Sequence, residues 1–315
     1  MTGNSLAYVS GYDQHQLQKT ALANYTETDM ELSDLLKKEG IDPDATLVLR
    51  HRPMEPELRK VLPWLATDRP EVYNAYQQCQ APKVEKQMAR SEYVASFIGH
   101  HPGRALFAGL YQNCGHKQVS QQQRSKNKHF RELMNLGLVN GPDPCLWFDL
   151  QLTPIFESWF GKLVIAWPGL EKSWSRWVHS NSRFHIEAIY DESLLHAAIP
   201  DWRELVLSSE QLGLLPLSWK AALSQWRGVY AVFDTKVKKL YIGSAYGKDN
   251  IYGRWKIYAE SGHGGNKHLK ALNPKNFQFS ILERLSPDTP PDAAIRCEAQ
   301  WKVRLHTKQF GLNAN

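Results

Sequence analysis

Two short tyrosine-bearing stretches, Gly228-Val229-Tyr230 and Tyr241-Ile242-Gly243, stand ahead of Arg254, Tyr258, Glu298 and Asn313 in the last hundred residues of the chain. Each residue type suits one part of phosphodiester chemistry. An arginine fork donates two parallel charge-assisted hydrogen bonds to a phosphate. A carboxylate holds a hard divalent cation that keeps several of its waters. A phenol orients a water, and takes a proton from it only with help from a neighbouring cation, because it titrates near pH ~10 when unperturbed. Together these groups can orient a phosphodiester, its attacking water and one divalent cation.

These side chains need elements to place them. Trp226–Phe233 and Lys239–Gly243 are β-rich, and Asp234–Lys238 between them is a polar connection of hairpin length. Tyr230 and Tyr241 are therefore expected on neighbouring antiparallel strands, projecting into one pocket. Asn250 is an acceptable N-cap for a helix over 250–260, although Gly253 weakens it. Arg254 and Tyr258, four residues apart, then share one side of that helix.

A last helix is expected over Asp292–His306, with Ile295, Glu298, Trp301 and Leu305 on one face. Glu298 is then a carboxylate on an apolar stripe, and an ionised carboxylate without a partner is costly to bury. A bound Mg²⁺ satisfies it. So does an ion pair with Arg254, Lys302 or Arg296, and spacing alone leaves both readings open.

Residues 226–315 resemble the GIY-YIG nuclease domain, with Gly-Val-Tyr in place of Gly-Ile-Tyr and Tyr-Ile-Gly as written. The resemblance covers under a third of the chain, with its motif elements in order. It implies an α+β fold in which a small antiparallel sheet is flanked by helices. It implies that Tyr230 and Tyr241 are the paired tyrosines, Arg254 the phosphate-facing arginine, and Tyr258 the second helix residue. Glu298 matches the single metal-binding glutamate and Asn313 the late asparagine. The implied activity is hydrolysis of double-stranded DNA with Mg²⁺, for which Mn²⁺ is an expected substitute. Either Tyr230 or Tyr258 handles the attacking water. A restriction-type endonuclease is the leading expectation; a structure-specific repair nuclease and a catalytically silent DNA-binding regulator are the alternatives. One active site cuts one strand, so a homodimer on DNA is expected.

Charge follows the same division. Residues 221–315 carry 15 Lys+Arg against 7 Asp+Glu, while the whole chain carries 38 against 32, so the front of the chain is net acidic. A basic domain attracts a polyanionic backbone. At 315 residues the chain has room for a second domain. No apolar run approaches the ~20 residues that span a bilayer, so no membrane role is expected. The N-terminus lacks a charged segment followed by an apolar one, and Cys79, Cys114, Cys145 and Cys297 lack metal-ligand spacing. Reduced thiols in a cytoplasmic protein are the expectation.

Residues 1–190 are read as a mixed, β-rich domain that reads DNA, with closure into a small barrel as one possibility. A helix is expected near Met30–Glu39, and strands over Thr46–Arg50, Tyr93–Gly99, Arg104–Tyr111, Cys145–Leu152 and Gly161–Trp167. Residues 191–220 are expected to form a helical connector, interrupted at Pro200 and Pro216. Gln118–Arg131 is rich in base, and as a mobile loop it would offer Arg124, Lys126 and Lys128 to phosphates. Trp174 and Trp177, beside Lys172 and Arg176, are a pair that could stack or cage a base if exposed. In the C-terminal part, Lys248 and the glycine-rich run holding Asn266 and Lys267 are further candidate contacts with DNA.

Overall fold

The computed structural model describes residues 30–139, 141–168, 173–179, 183–196 and 198–314. In chain order the elements are α1 (Leu32–Lys38), β1 (Thr46–His51), α2 (Pro56–Asp68), α3 (Pro70–Gln77), α4 (Pro82–Met88), β2 (Tyr93–Gly99), β3 (Arg104–Val119), α5 (Gln121–Lys126), α6 (Lys128–Asn135), β4 (Cys145–Leu152), β5 (Leu163–Ala166), β6 (Ser175–Trp177), β7 (Ile186–Ile189), β8 (Val206–Ser208), α7 (Ser209–Gly213), α8 (Leu217–Gln225), β9 (Arg227–Asp234), β10 (Lys239–Ala245), α9 (Asn250–Ser261), β11 (Phe277–Leu285) and α10 (Pro291–Arg304). None of the helices among the described residues is long and apolar enough to cross a membrane. The fold is α+β, with a mixed front sheet and an antiparallel C-terminal one.

The front sheet runs β6-β1-β2-β3-β5-β7, with β4 also paired to β3. β1 is buried along its whole length, as expected of a run such as Leu47-Val48-Leu49 covered on both faces. It pairs with β2 in parallel because α2, α3 and α4 supply the crossover that parallel strands require. β3 extends to Val119, well beyond the expected Tyr111. Its first half pairs with β2 and β5, and its second half with β4 across a register shift between Asn113 and His116. The pairing path among the described residues is open, with β6 and β7 at its ends, so a closed barrel is not formed.

The basic run Gln118–Arg131 is not a loop. Ser120 caps α5 in a capping box with Gln123, and Asn127 accepts hydrogen bonds from the backbone N–H groups of His129 and Phe130 at the start of α6. Those caps satisfy orphan N–H groups of two short helices, and their signals in the sequence are Ser120-x-x-Gln123 ahead of α5 and Asn127 ahead of α6.

The stretch expected to be a helical connector differs too. Residues 198–205 are irregular, Val206–Ser208 forms β8 on the edge of the C-terminal sheet, and helix resumes only in α7 and α8. Pro200 and Pro216 lack the N–H that a continuous helix needs. Leu207 points into the core while Val206 stays exposed, the alternation of an edge strand.

The C-terminal sheet has the order β10-β9-β11-β8, all antiparallel. A bulge on β11 between Ile281 and Glu283 brings the Glu283 carbonyl onto Gly228, where any Cβ would collide with it. The first motif glycine is thus required by close backbone approach. α10 packs on β9 and β10, and α9 on β9 and α8.

One apolar cluster runs from α2 and α3 through Leu205, Leu207, Leu212 and Trp219 into Tyr230, Val232 and Trp255. Trp64 meets Trp219 with ring centroids 4.9 Å apart, and Gln211 Nε2 donates to Glu57 Oε2 at 2.7 Å. The front half and the C-terminal half therefore share a core.

Candidate functional site

β9 and β10 form the expected hairpin. Its turn is held by Asp234 Oδ1, which accepts from the N–H groups of Lys236 and Val237 at 2.8 and 2.9 Å. Tyr230 lies opposite Gly243 and Tyr241 opposite Val232. Directly opposed residues share a sheet face, so the two tyrosines lie diagonally on one side. The Tyr230 ring lies across Gly243: a Cβ there would stand 2.6 Å from the phenol Cζ. The second motif glycine exists to make room for the first motif's tyrosine.

α9 brings Arg254 and Tyr258 to the same place. Asn250 is its first residue rather than its N-cap, and its side-chain amide donates to the Ser224 carbonyl at 2.9 Å. Arg254 donates from Nε to the Tyr230 hydroxyl at 3.2 Å and from Nη2 to the Tyr258 hydroxyl at 3.4 Å. The Tyr258 hydroxyl donates to that of Tyr241 at 3.0 Å. Three phenols, all nearly inaccessible, thus hang from one half-buried guanidinium. A guanidinium has five donors, and these phenols take two of them.

Burial raises the Tyr230 hydroxyl far above the usual phenol range, the neighbouring Tyr258 adds to this, and Arg254 opposes it. Tyr241 is raised for the same reason, with Tyr258 and the nearby Glu298 carboxylate contributing. Arg254 in turn is held more firmly protonated, chiefly by Tyr230. Tyr230 and Tyr241 therefore keep their protons at neutral pH, and the charge that could stabilise a phenolate belongs to Arg254.

Glu298 comes from α10, but not on the expected face. Ile295 and Leu305 are exposed; the inward positions are Ala294, Glu298 and Lys302, spaced by four residues. Glu298 Oε1 receives Lys302 Nζ at 2.7 Å, and Oε2 accepts a hydrogen bond from the Ser244 hydroxyl. Of the ion pairs left open by spacing, Lys302 forms; Arg296 pairs with Asp292 instead. Ser244 as a partner of Glu298 was not foreseen. Its signal was its position just after the tyrosine-isoleucine-glycine run, at the end of a strand that α10 covers. The donors suit a hard divalent cation: a carboxylate with a hydroxyl beside it. Glu298 is the residue that would hold it.

Asn313 is buried, and both halves of its amide are used. Ile242 N–H donates to its Oδ1 at 3.0 Å, and its Nδ2 donates to the Ile242 carbonyl at 2.8 Å. It clamps the outer edge of β10 between Tyr241 and Gly243. Its amide holds the strand that carries Tyr241.

The other expected contacts scatter. Lys248 is exposed in the turn before α9, and Lys267 is exposed in the turn after it. Asn266 is half-buried there, its Oδ1 accepting from the His268 N–H at 2.8 Å. Lys126 and Lys128 are exposed on α5 and α6. Arg124 is not available to DNA: it is 1% exposed, with Nη1 on Cys79 Sγ at 3.2 Å and Nη2 on the Pro142 carbonyl at 2.8 Å. Trp174 and Trp177 do not form a cage. Trp174 is exposed, whereas Trp177 packs beside the Leu47–Leu49 core and stacks on His179. Lys172 lies outside the described residues. Cys79, Cys114, Cys145 and Cys297 are free thiols.

Comparison with known proteins concerns the C-terminal part of the chain. The family model described as the GIY-YIG catalytic domain matches residues 227–313. No curated protein matches the chain. A solved structure, the catalytic domain of intron endonuclease I-TevI in a mutant form, aligns at 27% identity over 29% of this chain and 94% of its own, with a TM-score of 0.25. Residues 227–313 are a GIY-YIG catalytic domain.

Proposed function

We propose that this chain is a divalent-metal-dependent DNA endonuclease of restriction type, in which residues 1–190 select the DNA and the C-terminal domain hydrolyses it. The observation that carries the reading is the Arg254 guanidinium bonded to the Tyr230 and Tyr258 hydroxyls, with Tyr258 bonded in turn to Tyr241 on the strand whose Ser244 hydroxyl holds Glu298.

The chain's own residues supply most of the chemistry. Arg254, anchored by its bonds to Tyr230 and Tyr258, aims its other donors at the non-bridging oxygens, where negative charge builds in the transition state. Tyr230 orients the attacking water; it is the phenol nearest to Arg254 Nε, so its phenolate is the one most stabilised if it takes the proton. Tyr258 links Tyr230's partner Arg254 to Tyr241 and passes hydrogen-bond polarity along the chain of hydroxyls. Ser244 and Lys302 hold the Glu298 carboxylate in place. Mg²⁺ bound at Glu298, with Mn²⁺ as a substitute, would stabilise the leaving oxygen and orient the phosphate.

Lys248, Asn266 and Lys267 flank α9 at its two ends and are the expected phosphate contacts around the cut. Lys126 and Lys128 present positive charge on the front domain. One such site cuts one strand, so a double-strand break takes two copies on DNA or two visits by one copy.

The test is incubation of the full chain with unmodified duplex, modified-base duplex and branched oligonucleotides in the presence of Mg²⁺. Discrete fragments from one of the duplexes support the reading. Cutting confined to branched DNA replaces it with a structure-specific nuclease, and tight duplex binding with no cutting of any substrate replaces it with a regulator.

A further inference from the structure

A cavity of about 540 Å³ opens in the front domain, away from the catalytic residues, between the end of β1, α3, α6 and the segment before β6. That volume falls in the range of about 300–1,000 Å³ usual for small-molecule sites. Its aromatic walls are Tyr76, Phe130 and Trp174. At its rim Met54 and Val139 are 87% and 74% exposed, and Trp174 is 43% exposed. An exposed apolar rim around an opening is a feature of ligand-binding grooves.

The lining is not wholly apolar. His51 is 2% exposed and lines the cavity, and among the described residues its Nε2 has no hydrogen-bond partner. The ring is fixed edge-on against Tyr76, with centroids 5.2 Å apart, and against Tyr73 at 5.8 Å. A buried nitrogen without a partner costs stability, and a ligand edge that meets it recovers that cost. Arg124 fixes the wall behind, through its bonds to Cys79 and the Pro142 carbonyl, so the cavity is formed in advance. Arg50 and Arg52 add positive charge to the lining.

A planar heterocycle with a hydrogen-bonding edge matches this combination: an exposed indole to stack on, aromatic walls and one buried ring nitrogen. We propose that this cavity receives a base turned out of the DNA that the enzyme binds, stacked on Trp174 and read at its edge by His51. The assignment rests on the proposed function above, and gives the front domain a specific means of selecting DNA. Burial lowers the His51 titration to about 4, against a weaker supporting bond from Gln77, so the ring is neutral at physiological pH and can face the base as donor or acceptor.

The experiment uses the full chain in a chelator, with two duplexes of one sequence: fully paired, or carrying a single bulged 2-aminopurine that is extrahelical from the start. Fluorescence anisotropy gives the two Kd values, and 2-aminopurine emission reports stacking. The bulged duplex is expected to bind about 10-fold tighter, the scale of one base–aromatic stack, with quenched emission. Trp174→Ala, an exposed substitution that leaves the core intact, should remove both the preference and the quenching while the paired duplex still binds. Equal Kd values for the two duplexes, or a preference that survives in Trp174→Ala, would overturn the proposal. Free 2-aminopurine riboside is the other arm: saturable binding with no preference for the bulged duplex assigns the cavity to a free nucleoside and overturns the DNA-base assignment. Cleavage of paired DNA on Mg²⁺ addition is scored on the same protein. Cleavage without the bulge preference defeats this inference alone, and the preference without cleavage defeats the endonuclease reading alone.

Discussion

Lys302 Nζ stands 2.7 Å from Glu298 Oε1, one helical turn further along α10, with both side chains largely withdrawn from water. The proposed metal ligand thus carries a cation from its own helix. Removing the partner leaves a poorly solvated carboxylate without its cation, costing about 1–3 kcal/mol. Lys302→Met should lower the thermal midpoint without metal, and Mg²⁺ should raise the variant's midpoint more than the wild type's. A variant as stable as wild type in chelator would show that the pair has no such role.

Glu298→Ala should lose metal-dependent cleavage by a factor of at least ~100 while DNA affinity in chelator stays within about twofold, because a lost metal ligand removes charge stabilisation at the leaving oxygen. Titrating Mg²⁺ against single-turnover rates makes the measurement. Full activity would place the metal elsewhere.

Arg254 holds two phenols as well as the expected phosphate, so its loss is expected to act on turnover. Arg254→Ala should lower kcat by ~100–1,000-fold, the scale of one pre-organised donor, with a smaller change in KM. Arg254→Lys should recover little, since an ammonium cannot bond both hydroxyls in a fixed fork.

The titration of Tyr230 is raised by burial, so a phenolate there becomes more available as pH rises and is scarce at neutrality. If Tyr230 takes the water's proton, log kcat should climb with pH from 6 to 9 without reaching a plateau. Tyr230→Phe should flatten that slope, whereas Tyr241→Phe should lower the rate and keep it. An unaltered slope in Tyr230→Phe would assign the proton to another group.

His51 has a folded titration of about 4, below its ordinary 6.5. Between those values the unfolded chain binds the proton and the folded chain does not. Its contribution is therefore complete above pH 6.5 and is lost as pH falls towards 4, by up to about 3 kcal/mol. Urea denaturation at pH 7 and pH 4.5 measures the fall, and His51→Phe should reduce it.

Much of the C-terminal site was legible because its signals are local. Tyr230 and Tyr241 belong to strands whose composition and turn residues need no distant partner to be read. Arg254 and Tyr258 meet through helical spacing alone. Capping signals at Ser120 and Asn127 were present but were outweighed by the basic character of the run, and so Arg124, which the fold buries, passed for a surface residue. β8 escaped because three residues between prolines carry too little pattern, and its strand conformation comes from the β11 edge that it joins.

The chain's local chemistry determined which residues could serve a phosphodiester, and the hairpin and helix that carry them, since those depend on side-chain type and on spacings within a few residues. Tertiary structure decided the remainder. Which face of α10 turns inward depends on what it packs against, and this gave Glu298 Lys302 and Ser244 as neighbours in place of an apolar stripe. Asn313 became a clamp on Ile242 because folding brought it across 71 residues to a strand edge with an N–H and a carbonyl to satisfy. Long-range contacts of this kind depend on burial and on the pairing of distant backbone groups, and no window of sequence contains them.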